Sequence, residues 1–221
     1  PYCLDEITGD NLNTTSDNNI SGTWSPSTIS TSMEGSTTYS FVPELRECAI
    51  TTTMDIVVNS LPTVTFSADN IEGCSPLNVN LSGGSATGNN IWTLGNGDVL
   101  NGTNVNTAFL FPGCYDVTLF VEENGCSNTL TLNDYICVQN DPIASFSVSP
   151  QSFTDVNQLV EFTNSSQGAV DYIWNFGDGY TEQTISPSHL YSETEAGIMI
   201  TLIAISDFGC IDSAQVFIPF N

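Results

Sequence analysis

The stretch Tyr172-Ile173-Trp174-Asn175-Phe176-Gly177-Asp178-Gly179 decides the fold. An apolar residue and a Trp lead into a strand, and a Gly-polar-Gly turn ends it. The stretch is echoed by Asn90-Ile91-Trp92-Thr93-Leu94-Gly95-Asn96-Gly97. The two copies align well beyond this core. Pro62 matches Pro142, Phe66 matches Phe146, Val79 matches Val160, Leu81 matches Phe162, and Cys126 matches Cys210. A repeat of this spacing divides the 221 residues into three modules, 1–60, 61–140 and 141–221. The boundaries fall at Ser60-Leu61-Pro62 and Asn140-Asp141-Pro142, each with a proline just before a fresh strand signal. Linkers this short and proline-stiffened predict tandem modules in an extended, semi-rigid rod.

Elsewhere the pattern is that of strands. Val79 and Leu81 sit at alternate positions, as do Val117, Leu119 and Val121, and Gly, Asn, Pro and Ser bound the runs. No helical period is sustained. Several short strands per module predict an all-β chain of β-sandwiches. With 40% hydrophobic and 10% aromatic residues, the chain is too apolar for acidic disorder. Modules of this size bury a small core and are marginal without added cross-links.

Charge excludes whole classes of partner. One Lys+Arg against 25 Asp+Glu gives a net charge of -24. Such a surface repels a phosphate backbone, so nucleic acid is not expected as a partner, nor is an anionic membrane surface. No apolar run reaches the ~20 residues that span a bilayer, so no membrane insertion is expected. The scarcity of Lys and Arg also leaves almost no tryptic sites.

The Trp174 stretch resembles the core signature of the PKD (polycystic kidney disease) domain. Pro187-Ser188-His189-Leu190-Tyr191 followed by Gly197-Ile198-Met199-Ile200-Thr201-Leu202 is similar to that family's closing pattern. So is Pro112-Gly113-Cys114-Tyr115-Asp116-Val117-Thr118-Leu119 in the earlier, degenerate copy. The resemblance marks Trp92, Trp174, Phe176, Gly177, Asp178 and Gly179 as structural-motif residues. Residues 1–60 differ. Gly22-Thr23-Trp24-Ser25-Pro26, Thr37-Thr38-Tyr39-Ser40-Phe41 and Cys48 to Met54 resemble the immunoglobulin-like repeats of large Bacteroidetes-type surface adhesins, here with the first strand missing.

That resemblance implies a non-catalytic stalk segment of a large secreted bacterial cell-surface adhesin, a piece of a longer precursor. It implies export by the type IX secretion route, through a C-terminal domain absent from this stretch, and use in adhesion or gliding. The implied partners are neighbouring modules of the same chain, the secretion apparatus and a surface glycan or other adhesive target. Two alternatives stay open: an accessory PKD region of a secreted polysaccharide- or protein-degrading enzyme, and a glycan-binding module.

Seven cysteines are present. Cys3 and Cys48 are the only two in the first module, and Cys74 and Cys126 occupy comparable places in the second, so each set is expected to pair. Closing loops of that length stabilises a module by roughly 4 kcal/mol in the chain-entropy model. Glu122-Glu123-Asn124-Gly125 reads as a hairpin turn that brings Cys114 opposite Cys137 to within a residue or two. Cys74–Cys114 is the alternative, and Cys210 is left over. Disulfides imply an oxidising, extracellular setting.

No catalytic constellation is expected. One His and one Arg leave little for acid–base work, and His189 falls inside the motif. The carboxylates Glu122-Glu123, Glu193 and Glu195 read as solvated turn residues. The Gly177-Asp178-Gly179 turn lacks the Lys and the helix of a phosphate loop. Its glycines are expected to supply positive φ, and Asp178 to accept backbone N–H groups. No cofactor or metal is assigned. Ca²⁺ is the one ion the resemblance and the oxygen donors admit, although no EF-hand pattern occurs. The three tryptophans, Trp24, Trp92 and Trp174, are read as core residues rather than sugar platforms.

Overall fold

A computed structural model of the chain describes residues 1–6, 11–152, 157–192 and 197–219. The fold is all-β; every regular element among the described residues is a strand. Among the described residues no helix is long and apolar enough to cross a membrane. Glu193 and Glu195 lie outside the described residues. The chain resolves into two compact units. One comprises Pro1–Ala68, Asn80–Val105 and Asp116–Asn133, the other Asp69–Val79, Asn106–Tyr115 and Asp134–Asn221.

Three sheets share one plan, and each carries one of the tryptophans. The Trp24 sheet runs in the order Tyr2–Cys3, Thr52–Asn59, Gly35–Pro43, Gly22–Ser25. The Trp92 sheet runs Glu72–Cys74, Cys126–Gln139, Gly113–Glu123, Asn89–Leu94, Val99–Asn101. The Trp174 sheet runs Ile211–Ile218, Ile198–Ile205, Asp171–Asn175, Thr181–Glu182. In the first two, a short strand lies parallel to the end of the last strand: Tyr2 and Cys3 face Val58 and Asn59, and Glu72 to Cys74 face Cys137 to Gln139. In all three, the Trp strand pairs antiparallel with the penultimate strand, setting Trp24 opposite Phe41, Trp92 opposite Leu119 and Trp174 opposite Leu202.

In the first unit, the Trp24 sheet buries Tyr39, Phe41, Ile56 and Val58 on one face. These sit at alternate positions, as a half-buried strand requires. Gly22 is needed here, because a Cβ would lie 2.4 Å from the Phe41 ring. The Trp92 strand meets Phe66 of the Phe66–Ala68, Leu77–Gly83, Asn104–Phe109 sheet, with ring centroids 5.3 Å apart and edge-on.

In the second unit, two sheets face one another. The Phe146–Ser149, Gln158–Asn164, Ser188–Tyr191 sheet contributes Val148, Val160, Phe162 and Tyr191. The Trp174 sheet contributes Trp174, Ile200, Leu202 and Ile218, and Phe176 follows the Trp strand. Strand alternation sends these residues inward from both layers, which is the packing of a β-sandwich.

Candidate functional site

Two constructions stand out: the motif around Trp174 and the disulfides. Trp174 is fully buried. Its indole N–H donates to the Thr184 carbonyl at 2.9 Å, and its ring meets Phe146 edge-on at 5.1 Å. Trp92 repeats both contacts, donating to the Gly102 carbonyl at 2.8 Å and meeting Phe66. A buried indole needs a partner for its N–H, and both copies find it ten residues downstream. Trp24 departs from the expected core position. It is only partly buried, lies against Phe41 at 5.3 Å and donates back to the Asn13 carbonyl.

The turn behind Trp174 closes through side chains. Asn175 Oδ1 accepts the Gly177 N–H and Asp178 Oδ1 accepts the Tyr180 N–H. Gly177 has φ +83°, and a Cβ there would lie 2.5 Å from both Ile198 Cγ2 and the Met199 carbonyl oxygen. Only glycine fits on both counts. Asp178 Oδ2 meets His189 Nε2 at 2.7 Å. The imidazole is stacked on Phe176, with centroids 4.2 Å apart and planes at 4°, and Tyr191 meets it edge-on. The buried Tyr191 hydroxyl donates to the Phe176 carbonyl at 2.9 Å. Burial, and then the negative charge of Asp178, push this phenol well above its ordinary value of 10. Among the described residues no hydroxyl or thiol hydrogen-bonds the His189 ring. The arrangement locks a turn onto a core, and nucleophile activation would need a further group beside the imidazole.

A second acidic position behaves similarly at the surface. Glu123 accepts from Thr87 and from Ser85 (2.9 Å), and these hydroxyls hold its carboxyl below the usual carboxylate range. The only His/Cys/Asp/Glu cluster of metal-ligating geometry among the described residues is Cys74, Asp141 and Cys210. Two of its three ligand atoms are sulfurs already bonded to each other, which leaves one carboxylate and no ligand set.

The disulfides are Cys3–Cys126, Cys74–Cys210 and Cys114–Cys137. The Cys114–Cys137 bridge spans the hairpin that turns at Asn124 and Gly125, both at positive φ. The other two correct the expected pairings Cys3–Cys48 and Cys74–Cys126. Cys210 is bridged, and Cys48 is the free cysteine. Register explains the change. Cys3 lies level with Asn59, at the far end of the strand that follows Cys48. At 3.2–3.4 Å per residue the strand Thr52–Asn59 alone spans about 23 Å, against the 4.4–6.8 Å between Cα atoms that a disulfide spans. Cys74 lies level with Gln139, and Cys126 opens that same strand, so the gap there is roughly 40 Å.

Both long bridges therefore follow one rule. A cysteine on the short parallel strand of one sheet joins the cysteine at, or one residue before, the start of the last strand of the next Trp sheet. Polar contacts reinforce the first: the Asn59 side chain donates to the Asn124 carbonyl at 2.9 Å, and Asn128 donates to the Pro62 carbonyl. At the second, Asp212 stands where Asn128 does and accepts the Ala144 N–H at 2.8 Å. Three disulfides point to an extracellular location.

No protein-family model matches the sequence, and no curated protein matches it. Among solved structures, the chain is similar to a PKD domain from the Vibrio cholerae metalloprotease PrtV, at 28% identity and TM-score 0.30, covering 37% of this chain and 98% of that one. A PKD domain of Vibrio anguillarum Epp matches at 25% identity and TM-score 0.29, over 37% and 96%. The fibronectin(III)-like modules of Clostridium thermocellum CbhA match at 12% identity and TM-score 0.36, over 71% and 95%.

Proposed function

We propose that this chain is a non-catalytic structural segment of a large secreted bacterial cell-surface adhesin, built of three modules in series. The first is immunoglobulin-like and the other two are PKD modules. The observation that carries the reading is the repeated long bridge, Cys3–Cys126 and then Cys74–Cys210. Cross-links that stabilise one module alone lie within that module. Cross-links that run from one repeat to the next serve the array. The motif residues fit the same purpose: Trp92 and Trp174 are buried and Asp178 is engaged with His189. The expected partners are neighbouring modules and the type IX secretion apparatus, with adhesion or gliding as the use.

The test is to locate the segment on intact cells with an antibody against it, before and after the type IX route is inactivated. Surface staining that disappears on inactivation is the expected result. Recovery of the segment only in the culture fluid, joined to a hydrolase, would overturn the reading in favour of an accessory region of a secreted enzyme.

A further inference from the structure

The free cysteine, Cys48, occupies the same place in the Trp24 sheet that Cys126 and Cys210 occupy in theirs. In the Trp174 sheet, Trp174 faces Leu202, Leu202 faces Ala214, and Cys210 precedes Ala214 by four residues. In the Trp24 sheet, Trp24 faces Phe41, Phe41 faces Thr52, and Cys48 precedes Thr52 by the same four. In the Trp92 sheet, Trp92 faces Leu119, and the hydroxyls of the adjacent Thr118 and Thr131 meet at 2.9 Å across the next pair of strands. That register sets Cys126 at the same offset. Two of these three equivalent cysteines are bridged, each to a cysteine on a short parallel strand, and both are 1% exposed. The third is exposed, and the flanking apolar side chains Leu45 (106%) and Ile50 (88%) are bare.

We infer that Cys48 is the receiving half of a third such bridge, and that its partner is a cysteine on the short first strand of another module of this kind. The two positions of that type in this chain, Cys3 and Cys74, are already bonded, so the partner cysteine comes from outside these 221 residues. The inference rests on the module-array reading and deepens it. Chemically, the two thiols lose two protons and two electrons as the S–S bond forms. A disulfide oxidant, either a thiol–disulfide oxidoreductase or oxidised glutathione, takes up both electrons and both protons as its own S–S bond breaks to two thiols. Leu45 and Ile50 are then covered by the incoming module, as apolar side chains beside an interface are.

Peptide mapping of the native, oxidised protein without reduction tests this. The expected product is the Cys48 peptide linked to a cysteine peptide foreign to this sequence. A non-reducing gel separates the two sources of the partner: the single-chain mass is kept if it is an earlier module of the same chain, and raised if it is a second polypeptide. The 221-residue chain alone should take up one maleimide without reduction, whereas Cys48 of the native protein should take up none. A free Cys48 in the native protein, a Cys48–Cys48 dimer or a glutathione adduct overturns the inference. Surface staining of the segment is measured independently, so the array reading survives or fails on its own.

Discussion

The regions around Trp92 and Trp174 share a skeleton and differ in how they close the following turn. Both bury the indole completely, both bond its N–H to a carbonyl ten residues on, and both set a Phe edge-on against it. Behind Trp174 the acid Asp178 reaches His189 across the chain. Behind Trp92 the amide Asn96 turns inward, accepting the Asp98 N–H and donating to the Asp98 carboxylate at 3.0 Å. A sandwich of this kind depends on the buried indole and its two fixed contacts. The turn tolerates either a local or a long-range lock.

The largest effect should come from the shared part. Trp174→Ala and Trp92→Ala should each cost about 3–5 kcal/mol, read by urea denaturation. A cost at Trp92 far below that at Trp174 would break the equivalence of the two sites.

The long bridges come next. In the chain-entropy model a loop as long as that closed by Cys74–Cys210 is worth about 5 kcal/mol, and one as short as that closed by Cys114–Cys137 about 3 kcal/mol. Measured losses fall below such figures when the unfolded state retains structure. Cys74→Ser with Cys210→Ser should therefore lower the denaturation midpoint more than Cys114→Ser with Cys137→Ser. The reverse order would count against loop closure as the source.

The difference between the two turns is the smaller quantity. Asp178→Asn gives the Trp174 turn the amide found at Asn96 and should cost about 1 kcal/mol through the weakened bond to His189. Asn96→Asp replaces the amide that donates to Asp98 with a second carboxylate, and should destabilise by repulsion instead. No loss on Asp178→Asn would mean that the Asp178–His189 contact contributes nothing.

The last contrast is with pH. The raised Tyr191 phenol stays protonated in the folded state above pH 10, whereas in the unfolded chain it ionises near 10. Above that pH the unfolded state binds fewer protons, so stability falls as pH rises and is unaffected by this group at lower pH. Tyr191→Phe should flatten this part of the alkaline decline. A decline as steep as in the parent chain would assign it to other groups.

Much of this was legible in residues close in sequence. The Trp positions, the Gly177 and Gly179 turn and the Asn124-Gly125 hairpin follow from local conformational rules. The hairpin in turn brings Cys114 to Cys137. The long bridges were not legible, because a repeat identifies equivalent positions without saying which equivalents meet. Cys3 and Cys48 adjoin one sheet, yet a full strand length separates them. Trp24 resisted for a related reason: its ring meets Phe41 at a tilt of 55° rather than edge-on, and its indole stays partly exposed. The His189 stacking on Phe176 joins residues whose order along the chain carries no periodic signal.

The offset bridges also change what happens when the chain is pulled by its ends. Fully drawn out, 221 residues reach about 750 Å. Tension entering at Cys3 divides between the bridge to Cys126 and the chain running on to Cys74, so residues 4–73 form a longer route parallel to the stretch from Cys74 to Cys126. At the other end Cys210 is bonded to Cys74, so the chain from Cys126 to Cys210 is a third and still longer route between the same two bridges. The stretch from Cys74 to Cys126 is the shortest of these routes and sets the limit, and the Cys114–Cys137 bridge offers a path of nearly equal length. The taut limit is then roughly 220 Å. Oxidised, the segment behaves as a tether with a hard stop at less than a third of its contour.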